Sequence, residues 1–327
     1  MKILITGAGG YIGSNAAEFF MKRGFDVTGT VHRKTSERFL RSGAKAVEAE
    51  LCDSASRERL FAEKFDFVIH IAARASDVGR DERFRIANFE AVKHLADLSM
   101  HNGVKRFVYL STSDVYGLHD FHGESEEELA FDHSVRNPYP KYKILSEEWL
   151  AAHLPPERFS CVRPCVVWGS GDTTITPRAV AYLLSSPFVI HFGKWKGRNR
   201  WPLAHVENVC RTLYAAMILP EAGGKGVTVL DSRRTTLSQF YRDLARQFLP
   251  GKMIREICLP VWTVRPAAWF SSSFSTWLNR DSPLFDPSLY ALDTIVHNLD
   301  FSNARMLDWL KQSGESEVSF TGGGTPC

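Results

Sequence analysis

Apolar and polar positions along the chain follow two rhythms. In the first half, short β-branched runs precede stretches whose apolar residues recur at helical spacing. This pattern predicts strands at 2–6, 26–32, 45–51, 65–73, 106–112 and 159–169. It predicts helices at 13–24 and 83–103, closed by Gly24 and Gly103. The alternation implies an α/β fold, a doubly wound parallel sheet with helices on both faces and ligands at the carboxyl ends of its strands. After about residue 170 the rhythm is irregular. Helices are expected at 176–184, 207–219 and 236–249 and a strand at 226–231. We therefore expect a sheet domain over 1–170 with later strands returning from about 200–235, a smaller lobe over 171–320, and a frayed tail at 314–327. Trp262, Trp269, Phe270, Phe274 and Trp277 form an aromatic stripe. The pattern assigns it to the core of the small lobe, with a lid over an apolar substrate as the alternative.

The 327 residues suffice for about two domains. A formal charge of +3 and the lack of a polybasic run give no reason to expect nucleic acid as a partner. The six cysteines have no metal-ligand spacing and read as buried free thiols of a reducing compartment. The amino terminus has too short an apolar run for a secretory leader. No stretch reaches the ~20 apolar residues of a membrane span, the nearest being 266–279. A cytoplasmic protein without a metal is the expectation.

Chemistry enters at the first turn. Gly7, Gly10 and Gly13 stand in G-x-x-G-x-x-G spacing between a strand and a helix, with Tyr11 and Ile12 inside the turn. Such a turn presents free backbone N–H groups to a pyrophosphate, although a tight turn alone also uses glycine. The second strand ends Val31-His32-Arg33-Lys34 and has no carboxylate for a ribose hydroxyl. His32 and Arg33 suit a 2′-phosphate, which favours NADP(H) and leaves NAD(H) open. A solvated basic loop is the competing reading.

In "NPYPKYK", Asn137 and Pro138 are good helix-start residues. Tyr139 and Lys143 then share a helical face. An ammonium beside a phenol favours the phenolate, and the pair can exchange a proton with a carbonyl or alcohol oxygen. Tyr142 has no lysine four residues on. "YLSTSDVYG" puts Ser111, Thr112 and Ser113 at a strand's carboxyl end, where a hydroxyl can hold a substrate oxygen or simply form a turn.

Taken together, "TGAGGYIG", "VIHIAA", Asn88 in "RIANFEA", "STSDVYG", "NPYPKYK", "VRPCVVWGSGD" and "HVENV" resemble the extended short-chain dehydrogenases/reductases. That group holds nucleotide-sugar epimerases, dehydratases and 3β-hydroxysteroid dehydrogenases, and the resemblance covers roughly residues 1–250. It implies a Rossmann-like fold with a carboxy-terminal substrate lobe. It makes Thr112, Tyr139 and Lys143 the catalytic set, with Lys143 also holding the nicotinamide ribose. It puts Glu50 and Leu51 by the adenine, Ala72 and Ala73 along the cofactor, and the backbone from Pro164 to Val167 by the nicotinamide. It implies a homodimer paired through helices, including the one carrying Tyr139. The family usually has Asp at the Glu50 position and Ser at the Tyr142 position.

Ser113, Asn88 and Arg200 are the expected substrate contacts. In "FGKWKGRNRWPLAHVENV", Lys194, Lys196, Arg198 and Arg200 suit a nucleotide-sugar diphosphate, and Trp195 or Trp201 a base. An exposed basic hairpin explains the same residues equally well. His205 reads as structural. The leading expectation is an NADP(H)-linked oxidoreductase acting on a carbonyl or hydroxyl of a nucleotide-sugar or sterol-like small molecule. The alternatives are an epimerase or dehydratase with retained NAD, and a non-catalytic NADP(H) sensor.

Overall fold

The structure, a computed structural model, describes residues 1–32 and 35–318. The amino-terminal half alternates β1 (Lys2–Thr6), α1 (Tyr11–Lys22), β2 (Asp26–Val31), α2 (Glu37–Arg41), β3 (Lys45–Glu48), α3 (Ser54–Leu60) and β4 (Phe67–His70). It continues through α4 (Asp81–Arg85), α5 (Ala91–His101), β5 (Arg106–Leu110), α6 (Pro138–His153), β6 (Phe159–Pro164) and β7 (Val166–Trp168). The remainder comprises α7 (Ile175–Ser185), β8 (Phe188–Phe192), β9 (Leu203–His205), α8 (Val206–Ile218), β10 (Gly226–Val229) and α9 (Leu237–Phe248). It ends with β11 (Arg255–Leu259), α10 (Arg265–Trp277), α11 (Leu289–Val296) and α12 (Ala304–Gln312).

Seven strands form one parallel sheet in the order β10-β6-β5-β4-β1-β2-β3. The order reverses between β1 and β4, and that switch opens the crevice in which such sheets bind ligands. Strands β4 and β5 are buried on both faces, as helix-covered parallel strands require. One core layer joins β1, α1, α8 and α12; the other joins β4, β5, α5 and α6. Strand β10 returns from the second half to complete the sheet, and α12 packs against it and α8.

The expected strand over 159–169 is two. Pro164 has no N–H to extend a ladder, and after it β7 leaves the sheet to pair with β9. The expected helix over 83–103 is interrupted at Ile86–Glu90 by a wider, π-type turn. The extra residue in that turn points the Asn88 amide inward, fully buried. Cys161 and Cys210 are buried free thiols, whereas Cys52 and Cys258 are exposed because they sit on the outer turn after β3 and on the edge strand β11. Cys327 and the tail from 319 lie outside the described residues.

The aromatic stripe is the largest departure. Helix α10 buries Ala268, Ser271 and Ser275 and turns Trp269, Phe270, Phe274 and Trp277 outward. Its small-residue face fits closely against α11, so the core reading of the aromatics is corrected.

Candidate active site

A cavity of about 890 Å³ runs from the glycine turn, across the ends of β1, β4 and β5, into the second lobe. Its first wall follows from backbone sterics. Gly7 has φ +69°, and a Cβ there would lie 2.8 Å from Ala72 Cα. A Cβ on Gly13 would lie 2.1 Å from the Gly7 carbonyl oxygen, so only glycine lets α1 start this close to the turn. Gly10 caps α1 without a side chain, and Gly7 N–H donates to Thr30 Oγ1 at 3.0 Å. Gly7, Gly10, Tyr11, Ile12 and Gly13 all face the cavity.

Thr6 Oγ1 accepts from the backbone N–H of Ile71 and Ala72, at 3.2 Å each, and shares a 2.8 Å hydrogen bond with His70 Nδ1. This fixes the turn that presents Ala72 and Ala73 to the cavity. Burial pushes the His70 imidazole down to about 3, so it is neutral at physiological pH.

The reactive end is built on β5 and α6. Asn137 Oδ1 accepts from Tyr139 N–H at 2.8 Å and Pro138 opens the helix. Lys143, one turn after Tyr139, is buried, with Nζ 5.8 Å from the Tyr139 ring centroid and 4.5 Å from that of Tyr109. It donates to the Leu110 carbonyl at 2.6 Å. Burial lowers Lys143 to about 7, against the pull of Glu147, which itself holds Arg163 in a forked ion pair. The Tyr139 phenol is shifted well above its ordinary range. Burial is the main cause and the Asp114 carboxyl the next, while hydrogen bonding with Thr112 acts the other way. Without a coenzyme charge beside it, this phenol is a proton donor rather than the phenolate expected from the Tyr–Lys spacing.

The fit to a dinucleotide rests on two kinds of observation. The glycine turn leaves a cradle that any Cβ would fill. The Tyr11 phenol and the Ser111 hydroxyl, both on the cavity wall, are buried polar groups with no partner among the described residues. A strand–turn–helix cradle with orphaned hydroxyls along its wall suits a polar, elongated guest.

The sequence profile of the NAD dependent epimerase/dehydratase family matches residues 3–230. This chain belongs to that family. The extended short-chain dehydrogenases/reductases, to which it is thereby assigned, are NAD(P)-dependent oxidoreductases and epimerases. Two curated relatives are the uncharacterized protein YbjS of Escherichia coli (strain K12) and the 2-alkyl-3-oxoalkanoate reductase of Stenotrophomonas maltophilia (strain K279a). The first is 29% identical over 183 residues, 54% of each chain. The second is 28% identical over 181 residues, again 54% of each chain. The chain thus spans about half the length of these relatives. Among solved structures, Epimerase Mth375 of Methanothermobacter thermautotrophicus superposes with a TM-score of 0.75 at 21% identity, covering 98% of this chain and 89% of that one. That likeness shows the shared fold.

Within this family frame, Thr112, Tyr139, Lys143, His32, Ala72, Ala73 and Val167 line the cavity beside the glycines. Glu50 and Leu51 are not on its wall; the Glu50 carboxylate lies 3.6 Å from Nε2 of His32, which is, and the Leu51 carbonyl accepts from Arg57. Pro164 is buried within β6, and the wall begins one residue later at Cys165. Arg33 lies outside the described residues.

Three expected substrate contacts do not reach the cavity. Asn88 accepts from Arg74 N–H and donates to Arg74 O, tying down the loop after β4. Ser113 is turned away by the tight 3₁₀ turn at Ser113–Tyr116 and bonds toward Cys165 and Asp114; Ser111 faces inward instead. Arg200 bonds to the Arg234 carbonyl. Of the basic stretch, Lys194 and Trp195 are held by Asp120, and none of its four cations lines the cavity. His205 caps α8, as expected of a structural residue.

The sequence reading missed Arg178, Asp77, Tyr241 and Tyr290, which complete the far wall, and Trp201 joins them by packing on Phe240. Arg178 is bracketed by Asp77 at 3.0 Å and by Asp286. The one available signal was the adjacent pair Phe240-Tyr241 on α9, whose two rings reach the cavity from one helix.

Proposed function

We propose that this protein reduces a ketone, or oxidises the matching secondary alcohol, on a predominantly apolar small molecule, with NADP(H) as coenzyme. The observation that carries the reading is the lining of the far end: Ile175, Ala179, Phe192, Trp201, Phe240 and Ile295. The one arginine there among the described residues, Arg178, is already neutralised by two carboxylates. A nucleotide-sugar diphosphate would meet no unpaired cation on this wall among the described residues, and the wall offers apolar area instead. The name of the Stenotrophomonas relative, an oxoalkanoate reductase, agrees with such a substrate.

Gly7, Gly10, Gly13, Tyr11 and Ser111 would hold the dinucleotide, and His32 with Arg33 would meet its 2′-phosphate. When bound, the nicotinamide supplies or accepts a hydride. Tyr139 gives the phenolic proton to the substrate oxygen in reduction and takes it back in oxidation. Thr112 holds that oxygen. Lys143, anchored on the Leu110 carbonyl, places positive charge beside the phenolate that remains.

A second reading, an epimerase that retains NAD, draws on the Glu50 carboxylate beside His32, which suits a free ribose hydroxyl better than a phosphate. The test is a thermal-shift comparison of NADP(H) with NAD(H), followed by absorbance at 340 nm with medium-chain ketones and with UDP-sugars. Oxidation of NADPH by ketones alone is the expected result. Tightly retained NAD, with UDP-sugar turnover at constant absorbance, would establish the second reading instead.

A further inference from the structure

Helix α10 has its polarity reversed relative to an ordinary surface helix. The face on the protein is made of Ala268, Ser271 and Ser275, while Trp269 (59% exposed), Phe270 and Trp277 (71%) face solvent. Trp262, just ahead of the helix, is 75% exposed. The outer rings are ordered against each other. Phe270 and Phe274 stack at 5.5 Å, and Phe274 meets Trp277 at 5.3 Å. Three tryptophans left in water, two of them on a helix that buries small residues instead, together with the packed rings of Phe270, Phe274 and Trp277, mark an interaction surface.

We propose that this face docks on an anionic lipid surface and that apolar substrate enters the cavity from there. Three observations select lipid as the occupant. First, the exposed rings are chiefly tryptophan and phenylalanine, the side chains that settle at the boundary between headgroups and acyl chains. Second, from Ile257 to Arg280 the chain carries Arg265 and Arg280 and no acidic residue, Arg255 lies just before it, and the two flanking acids are engaged, Glu256 with His191 and Arg242 and Asp281 with Arg74. Arg265 pairs with Asp293, whereas Arg255 and Arg280 form no ion pair among the described residues. The patch is thus apolar and cationic at its rim, complementary to anionic headgroups.

Third, the patch adjoins the cavity. Val264, one residue before α10, lines it, as do Tyr290, Ala291 and Ile295 of α11, the helix on which α10 packs. At 13 residues α10 is about 20 Å long, too short to span a bilayer, and no helix among the described residues is long and apolar enough to do so. The geometry is that of a helix lying in the interface plane. Docking itself is independent of the catalytic reading, while substrate entry rests on that reading.

The test is flotation of the full chain with phosphatidylcholine vesicles containing roughly 30% phosphatidylglycerol. We expect co-flotation, a blue shift of tryptophan emission, and weaker binding at high salt. The triple substitution Trp269→Ser, Phe270→Ser, Trp277→Ser should cut vesicle binding about tenfold or more while leaving the melting temperature and the reduction of a water-soluble short ketone unchanged. Turnover of a long-chain ketone presented in vesicles should fall with it. Docking is overturned if the wild-type chain stays unbound or if the triple variant floats equally well. It is also overturned if sedimentation shows a dimer that the substitutions abolish without any vesicle binding. Docking without reduction of any ketone would leave the lipid surface standing and remove the catalytic reading.

Discussion

The Tyr290 phenol donates a hydrogen bond to the Asp114 carboxylate, 176 residues earlier in the chain. Asp114 follows the hydroxyl residues at the end of β5, and Tyr290 belongs to α11 on the opposite side of the cavity. One bond therefore joins the sheet to the second lobe beside Tyr139. Burial raises the Asp114 carboxyl above its usual range, and the phenol supports its charged form. Tyr290→Phe removes one donor and leaves the carboxyl those of Thr112 and Ser113, so a loss of about 1 kcal/mol in urea unfolding is expected. A double-mutant cycle with Asp114→Asn should give a coupling of about 1 kcal/mol. Strict additivity would show that the two groups do not act as a pair.

Tyr139→Phe removes the one acidic proton proposed for the substrate oxygen and leaves the glycine cradle intact. Turnover should drop by about 10²–10⁴-fold, with coenzyme affinity changed by less than about threefold. Steady-state kinetics alongside coenzyme titration measures both, and wild-type turnover in the variant would remove Tyr139 from the mechanism.

Lys143 gives the coenzyme-free protein a pH signature. Its folded value of about 7 lies below the ordinary lysine value of 10.5. Between these values the unfolded chain binds more protons, so stability rises with pH, by up to ~1.4 kcal/mol per unit from this group. The rise should be visible from about pH 7 to 8 in denaturant melts, before the buried thiols of Cys161, Cys165 and Cys210, whose values burial raises, begin to oppose it. Lys143→Met should flatten it. An unchanged slope in the variant would assign the effect elsewhere.

Gly13→Ala drives a methyl group into the Gly7 carbonyl. The turn must open, and coenzyme binding by calorimetry should weaken about 100-fold or more. Gly24→Ala, at a position where a Cβ meets nothing within 4 Å, tests the stability cost of a positive φ alone and should leave that affinity intact. Equal affinity in both variants would exclude the close-approach argument.

An apolar far wall makes a quantitative demand on substrates. Each added methylene is worth about 0.8 kcal/mol of burial, so kcat/KM should rise about fourfold per carbon along a ketone series until the cavity is full. A flat series would place the alkyl chain outside it.

Much of this site was legible because local rules write it. Strand, glycine spacing and helix start identify a phosphate cradle without reference to distant residues. Asn137 and Pro138 likewise announce a helix start, and that start fixes Tyr139 and Lys143 on one face. Ser113 shows where local reasoning ends. In an extended strand Ser111 and Ser113 point the same way, but the strand stops at Leu110 and the 3₁₀ turn rotates Ser113 away.

The sequence by itself determined the sheet, the cradle and the spacing of the proposed proton-transfer residues, since these follow from backbone sterics, capping and the period of neighbouring side chains. Only the tertiary structure decided which hydroxyl faces the cavity, that Arg178 is neutralised, and that Tyr290 closes on Asp114. It also decided which face of α10 is buried. Periodicity reports that a helix has two faces. Which face turns inward depends on what residues far away in the chain place against it, and on α10 small side chains give the closer fit.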